Sequence, residues 1–139
     1  MPIEFELIQF IKQYSVESDD NSMYDDIEFP SVEFLNEFAA ALRSGTYHQT
    51  RGSLGRIIGD LSCYCAAGVA CKVGKRVESV VNDKIRFDNR VGIPSSDFLD
   101  NGFSYLLVLL NDGYKLTFLQ IADIIEFIAK RKQQAESNE

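Results

Sequence analysis

The stretch Leu61-Ser62-Cys63-Tyr64-Cys65-Ala66-Ala67-Gly68-Val69-Ala70-Cys71-Lys72 decides the fold, because it is small and apolar over most of its length. This composition predicts a buried helix around which the rest of the chain packs. All three cysteines of the protein lie within it. In a buried helix they would act as small core hydrophobes rather than as reactive thiols.

The size and composition of the chain indicate one globular domain. It has 139 residues, of which 45% are hydrophobic, and ten phenylalanines supply much of the core volume. No apolar run reaches the length of about 18 residues that a membrane span needs, and the N-terminus does not resemble a secretory signal. An odd number of cysteines without an export signal indicates reduced thiols. We therefore expect a cytoplasmic protein without a membrane partner.

Apolar residues at helical spacing and turn-forming residues lie on both sides of the cysteine segment. Apolar spacing and end signals predict four further helices, over residues 3–14, from the N-cap Ser31 to a stop at Gly45, over 94–110, and from a capping box at Thr117–Gln120 onward. Glycines punctuate residues 46–59, which indicates a loop. Alternation around Asn82-Asp83 predicts a β-hairpin over residues 77–91.

The predicted fold is therefore α+β, a mainly helical single domain of about five helices with a small β-hairpin near residues 77–91. We divide the chain into an acidic N-terminal helix and linker region (residues 1–37), the main globular part of the same domain (38–132) and a frayed tail (133–139).

Charge is unevenly distributed along the chain. Residues 1–37 carry ten acidic residues against Lys12, whereas residues 38–93 carry nine basic residues against four acidic ones. Such a chain either folds its acidic front onto its basic middle or presents surfaces of opposite sign to a partner. The two candidate contact regions are the acidic linker with Asp25 and Asp26 and the loop with Tyr47, His48, Arg51 and Arg56.

A small metal- or thiol-dependent enzyme is the first alternative. The only histidine, His48, would have to serve one of the cysteines as base or complete a zinc site with them. On one helix, Cys65 and Cys71 would point about 120° apart, and so could not share one ion. The sequence therefore favours a non-enzymatic role, with no catalytic, cofactor-binding or metal-binding residues and no cofactor.

Nucleic-acid binding is the second alternative, since arginines with an interleaved tyrosine suit it. The sequence pI of about 4.7 argues against it, because an acidic protein repels a polyanion unless its charges segregate.

Three segments resemble a family of small proteins that occurs mainly in bacteriophages and prophages. Residues 41–54 are similar to its opening "ALRSGKYxQxxGxL", residues 64–71 to its centre "YCCLGVLC", and residues 110–126 to its ending "LND…SFxxIADxIE". The order and spacing match over about residues 38–128. Ala66 departs from the centre, where the family has a second adjacent cysteine, and Cys63 is additional.

The resemblance implies a phage-type accessory protein in a host cytoplasm, and it implies no reaction. We therefore predict a non-enzymatic protein-binding module whose partner is a host or phage protein, acting through the two contact regions named above.

Overall fold

The fold is described from a computed structural model, which places residues 3–14, 27–87 and 101–137. The helices are α1 (Ile3–Lys12), α2 (Val32–Arg43), α3 (Ala66–Val73), α4 (Asn101–Val108) and α5 (Phe118–Ser137). The strands are β1 (His48–Gln49), β2 (Gly55–Ile58), β3 (Leu61–Tyr64), β4 (Glu78–Val81) and β5 (Lys84–Phe87). The α+β prediction with five helices and one domain is confirmed.

The helix ends follow the predicted capping chemistry. The Ser31 hydroxyl accepts a hydrogen bond from the Phe34 N–H at 3.1 Å and so begins α2. At the start of α5, the Gln120 N–H donates to the Thr117 hydroxyl at 3.2 Å and the Thr117 N–H donates to the Gln120 side chain at 2.9 Å. Both caps confirm the sequence-based boundaries.

The helical core lies where α2 and α1 pack along α5. Phe38 of α2 is fully buried and meets Phe103 of α4 edge to face, with 6.4 Å between the ring centroids. Phe10 of α1 stacks on Phe127 of α5 at 4.5 Å. The helix α5 continues to Ser137, and thus through most of the range 133–139 for which a frayed tail was predicted. No helix among the placed residues is both long enough and apolar enough to span a membrane.

Two predicted elements are wrong in part, and both errors lie around the cysteine segment. The predicted loop 46–59 contains β1 and β2, and the first part of the predicted helix 61–72 is the strand β3. The helix α3 begins only at Ala66. Strands of two to four residues are too short to show a hydrophobic period, so glycines and a small apolar run dominated the sequence signal.

The predicted hairpin is confirmed over Glu78–Phe87 and belongs to a larger sheet. Asn82 and Asp83 both have positive φ (53° and 64°), as a two-residue type I′ turn requires. The sheet has the order β1-β3-β2-β5-β4, in which β1 and β3 are parallel and all other pairs are antiparallel. Residues 88–91 of the predicted hairpin lie outside the described residues.

Candidate functional site

A buried polar network joins β1, the start of α3 and the segment that follows α4. At its centre is Asn111, whose side chain is fully buried in a π-helical turn, Leu109–Gly113, that follows α4. Its Oδ1 accepts from the Gln49 side chain at 2.8 Å and from the Ala66 N–H at 3.1 Å. Its Nδ2 donates to the Thr50 carbonyl at 2.9 Å. One asparagine therefore ties β1, the start of α3 and the π-turn together.

Arg51, predicted as a contact residue, belongs to this network. Its Nε donates to the Asn111 carbonyl at 2.8 Å, and its Nη2 donates to the Lys115 carbonyl at 3.1 Å. Carbonyls at the end of a helical turn have no partner within the turn, and a guanidinium with its fork of donors can satisfy several of them. The position of Arg51 is thus explained by the packing of the fold.

The cysteines are all buried thiols, which confirms that they belong to the core. Cys65 also caps α3, since its Sγ accepts from the Gly68 N–H at 3.4 Å. Burial raises the pKa of the Cys65 thiol, and burial raises the pKa of Cys71 to about 12. At neutral pH both groups are therefore protonated and unreactive as nucleophiles.

His48 lies directly opposite Cys63 in the parallel pairing of β1 with β3. This pairing brings the two residue types of a cysteine nucleophile and its base together. However, Cys63 is only 5% exposed, and its Sγ lies 3.9 Å from the Leu61 carbonyl oxygen. The arrangement does not present the thiol to a substrate. Within residues 3–14, 27–87 and 101–137, no three His, Cys, Asp or Glu side chains gather in a group able to hold a metal ion.

The sheet has one covered and one open face. Residues that are directly opposite in a ladder project to the same face, so the strand registers assign each side chain to a face. On the covered face, Tyr64 and Ile85 are buried, and the Tyr64 hydroxyl donates to Glu78 at 2.9 Å. Lys72 of α3 pairs with Glu78 at 2.8 Å, which places α3 over this face. Tyr47, another predicted contact residue, packs here against the Tyr64 ring at 5.6 Å.

The open face carries a continuous row of side chains across all five strands. The pairings His48↔Cys63, Cys63↔Arg56, Arg56↔Lys84 and Lys84↔Val81 place these five residues side by side. Neighbouring strands are about 4.8 Å apart, so Arg56 and Lys84 lie close together.

Basic and apolar side chains flank this row. Arg86 lies one step along β5, and on the other side of the row Ile58 and Leu61 pair with each other and are 50% and 51% exposed. All strand residues of this face except Cys63 are exposed, and none of those described is acidic. We call this surface, formed by His48, Arg56, Ile58, Leu61, Val81, Lys84 and Arg86, the open basic face.

Two of the contact residues predicted from the sequence lie on the open basic face, and the other residues of this face were not predicted. His48 and Arg56 are on it, whereas Tyr47 and Arg51 serve the covered side and the buried network. Asp25 and Asp26 lie outside the described residues. Lys84 and Arg86 alternate along a predicted hairpin strand, and this was the one sequence signal that could have found them.

Comparisons with known proteins give no match to a protein-family model, to a curated protein or to a solved structure. The chemistry of the open basic face and of the buried network therefore carries the functional argument.

Proposed function

We propose that this protein is a non-enzymatic binding module that holds a negatively charged protein partner on the open basic face. The observation that carries the proposal is the clustering of Arg56, Lys84 and Arg86 on one exposed face, in a chain whose net charge is −7. In a protein with an excess of acidic residues, a sheet face whose strand residues include no carboxylate is an electrostatic feature that favours an acidic partner.

The apolar residues of the face support a protein as the partner. Ile58, Leu61 and Val81 are each about half exposed and lie next to the basic side chains. Protein interfaces combine apolar contact area with charged residues that set orientation and association rate.

The face is less suited to nucleic acid. Sheets that bind single strands stack bases on exposed aromatic rings, at a gain of about 1–3 kcal/mol per base. Here none of the described strand residues on the open basic face is aromatic, and the aromatic strand residues Tyr64 and Phe87 project to the covered face. The protein-binding interpretation is therefore preferred.

A thiol-dependent enzyme would use His48 and Cys63, which are paired across β1 and β3, but the burial of Cys63 opposes this alternative.

The resemblance to phage proteins supports an accessory protein acting in a host cytoplasm. The partner is then a host or phage protein with an acidic surface.

A charge-reversal experiment tests the proposal. K84E/R86E reverses two charges of the open basic face, whereas K12E/K130E makes the same change in net charge on α1 and α5. Immobilised proteins are exposed to bacterial lysate with and without nuclease treatment, and captured proteins are identified by mass spectrometry. We expect wild type and K12E/K130E to retain the same acidic proteins and K84E/R86E to lose them. Equal capture by all three proteins would contradict the proposal, and capture that disappears with nuclease treatment would favour nucleic acid.

A further inference from the structure

The strand β4 is an edge strand among the described residues, and its exposed valines favour further pairing. It pairs with β5, and no other described strand pairs with it. Natural edge strands are protected by short length, charged side chains, prolines or bulges. Glu78–Val81 is short and carries one charge, at Glu78, but it contains no lysine or proline and its register with β5 is unbroken. Instead Val77, Val80 and Val81 are 64%, 54% and 47% exposed.

Hairpin geometry determines which backbone groups of β4 face outward. In a two-residue hairpin, the residues that flank the turn exchange a pair of hydrogen bonds, and the direction alternates along each strand. Val81 and Ser79 therefore direct their backbone groups to β5, and Glu78 and Val80 direct theirs away from the sheet. The same alternation requires the Asp83 carbonyl to point at β2, where it accepts from the Ile57 N–H at 2.7 Å.

The sequence of the edge is complementary to itself in antiparallel orientation. If a second copy approaches about a two-fold axis through Ser79, the outward groups of Glu78 meet those of Val80 of the partner subunit. These two symmetric pairs supply four hydrogen bonds. Val77 then lies opposite Val81 of the partner subunit in a non-hydrogen-bonded pair, where side chains approach most closely. No like charges are directly opposite in this register.

We propose that the protein forms a two-fold dimer by antiparallel pairing of β4 with β4 of a second copy. The occupant is a second copy because this register gives each of the three exposed valines a cross-strand neighbour and pairs the outward backbone groups of both Glu78 and Val80. A two-fold contact repeats each favourable pair, so the contact between Val77 and Val81 occurs twice in the dimer. This proposal does not rest on the proposed function.

The dimer would change the open basic face. The two-fold axis is perpendicular to the sheet, so both open faces lie on the same side of one ten-stranded sheet. The two β5 strands are then three strand spacings apart, or about 14 Å. Two clusters of Arg56, Lys84 and Arg86 would lie side by side and form a bivalent basic surface.

Sedimentation equilibrium tests the dimer. A short strand edge is at the weak end of interface sizes, so protein is measured up to about 1 mM. We expect a concentration-dependent monomer–dimer equilibrium for wild type and for L119S, which removes an exposed leucine from α5. Hydrogen exchange at the Glu78 and Val80 amides should slow with concentration. A single monomeric species throughout would overturn the proposal.

Three variants test the proposed pairing. V77E/V81E places carboxylates opposite each other and should weaken the dimer at least tenfold, whereas V77K/V81E places opposite charges there and should restore it. V80P removes one outward N–H without removing a bond to β5, and should weaken the dimer while circular dichroism shows an unchanged fold. If V77E/V81E and V77K/V81E dimerise equally, the proposed register is wrong. K84E/R86E should still dimerise, which separates this proposal from the proposed function.

Discussion

At the scale of single residues, Asn111 connects segments that lie 45 to 62 residues away from it in sequence. The helix predicted over residues 94–110 ends just before Asn111, which lies in the π-helical turn Leu109–Gly113. Buried asparagines are rare, because each amide group needs partners. The partners come from β1 and α3, so no local pattern could have predicted that Asn111 is buried.

Replacing Asn111 should destabilise the protein strongly. N111A leaves the Ala66 N–H and the Thr50 carbonyl without their partners, and each unsatisfied buried group costs about 1–3 kcal/mol. We expect a loss of about 3 kcal/mol in the free energy of unfolding, measured by urea denaturation. N36A, on the exposed side of α2, should change it by less than about 0.5 kcal/mol. Equal effects of the two substitutions would refute the role of the network.

Cys71 should make stability depend on pH in the alkaline range. Its pKa is about 12 in the folded protein and near 9 in the unfolded chain, so deprotonation favours unfolding. Its contribution to stability is present below pH 9 and is lost as pH rises from 9 toward 12. Stability is measured by denaturation at pH 8 and pH 10. C71A should lose less stability than wild type between these pH values, and an identical loss would contradict the assignment.

At the scale of elements, the helix α3 starts where the loop before β2 packs against it. The Cys65 N–H donates to the Leu54 carbonyl at 3.1 Å. A Cβ at Gly68 would lie 2.0 Å from that same carbonyl oxygen, which is backbone and cannot move aside cheaply. Glycine inside a helix normally weakens the helix. Position 68 therefore requires glycine because the Leu54 carbonyl approaches it closely, and not because of helix propensity.

Whether replacing Gly68 by alanine raises or lowers the stability of the protein tests this packing. Helix propensity alone predicts that G68A stabilises the protein by about 1 kcal/mol, whereas the clash with Leu54 predicts a loss. We expect a lower melting temperature for G68A. A40G on the exposed side of α2 measures the propensity effect in the same protein. A higher melting temperature for G68A would show that the loop does not pack on α3 as described.

At the scale of the whole molecule, apolar packing supplies most of the stability of the helices, and the ion pairs between them lie at the surface. Arg43 of α2 pairs with Asp123 at 2.7 Å and with Glu126 at 2.5 Å, and it holds the pKa of the Glu126 carboxyl below its usual value. These side chains are 36–53% exposed, and ion pairs in such positions contribute little to stability.

Two substitutions in α2 separate these contributions. F38A removes a fully buried ring and should cost about 3–5 kcal/mol in the free energy of unfolding. R43A removes both ion pairs and should cost less than about 1 kcal/mol. Both values come from chemical denaturation at neutral pH. A larger effect for R43A than for F38A would reverse the ranking of the two contributions.

The sequence by itself determined the α+β class, the caps at Ser31 and Thr117, the hairpin around Asn82-Asp83 and the buried state of the cysteines. These features depend on residues close together in the chain, or on composition. Only the tertiary structure decided that β1, β2 and β3 are strands, that Asn111 is buried, and that Lys84 and Arg86 share a face with His48 and Arg56. The physical reason is that short strands and buried polar groups are stabilised by partners distant in sequence, and those partners become neighbours only when the chain has folded.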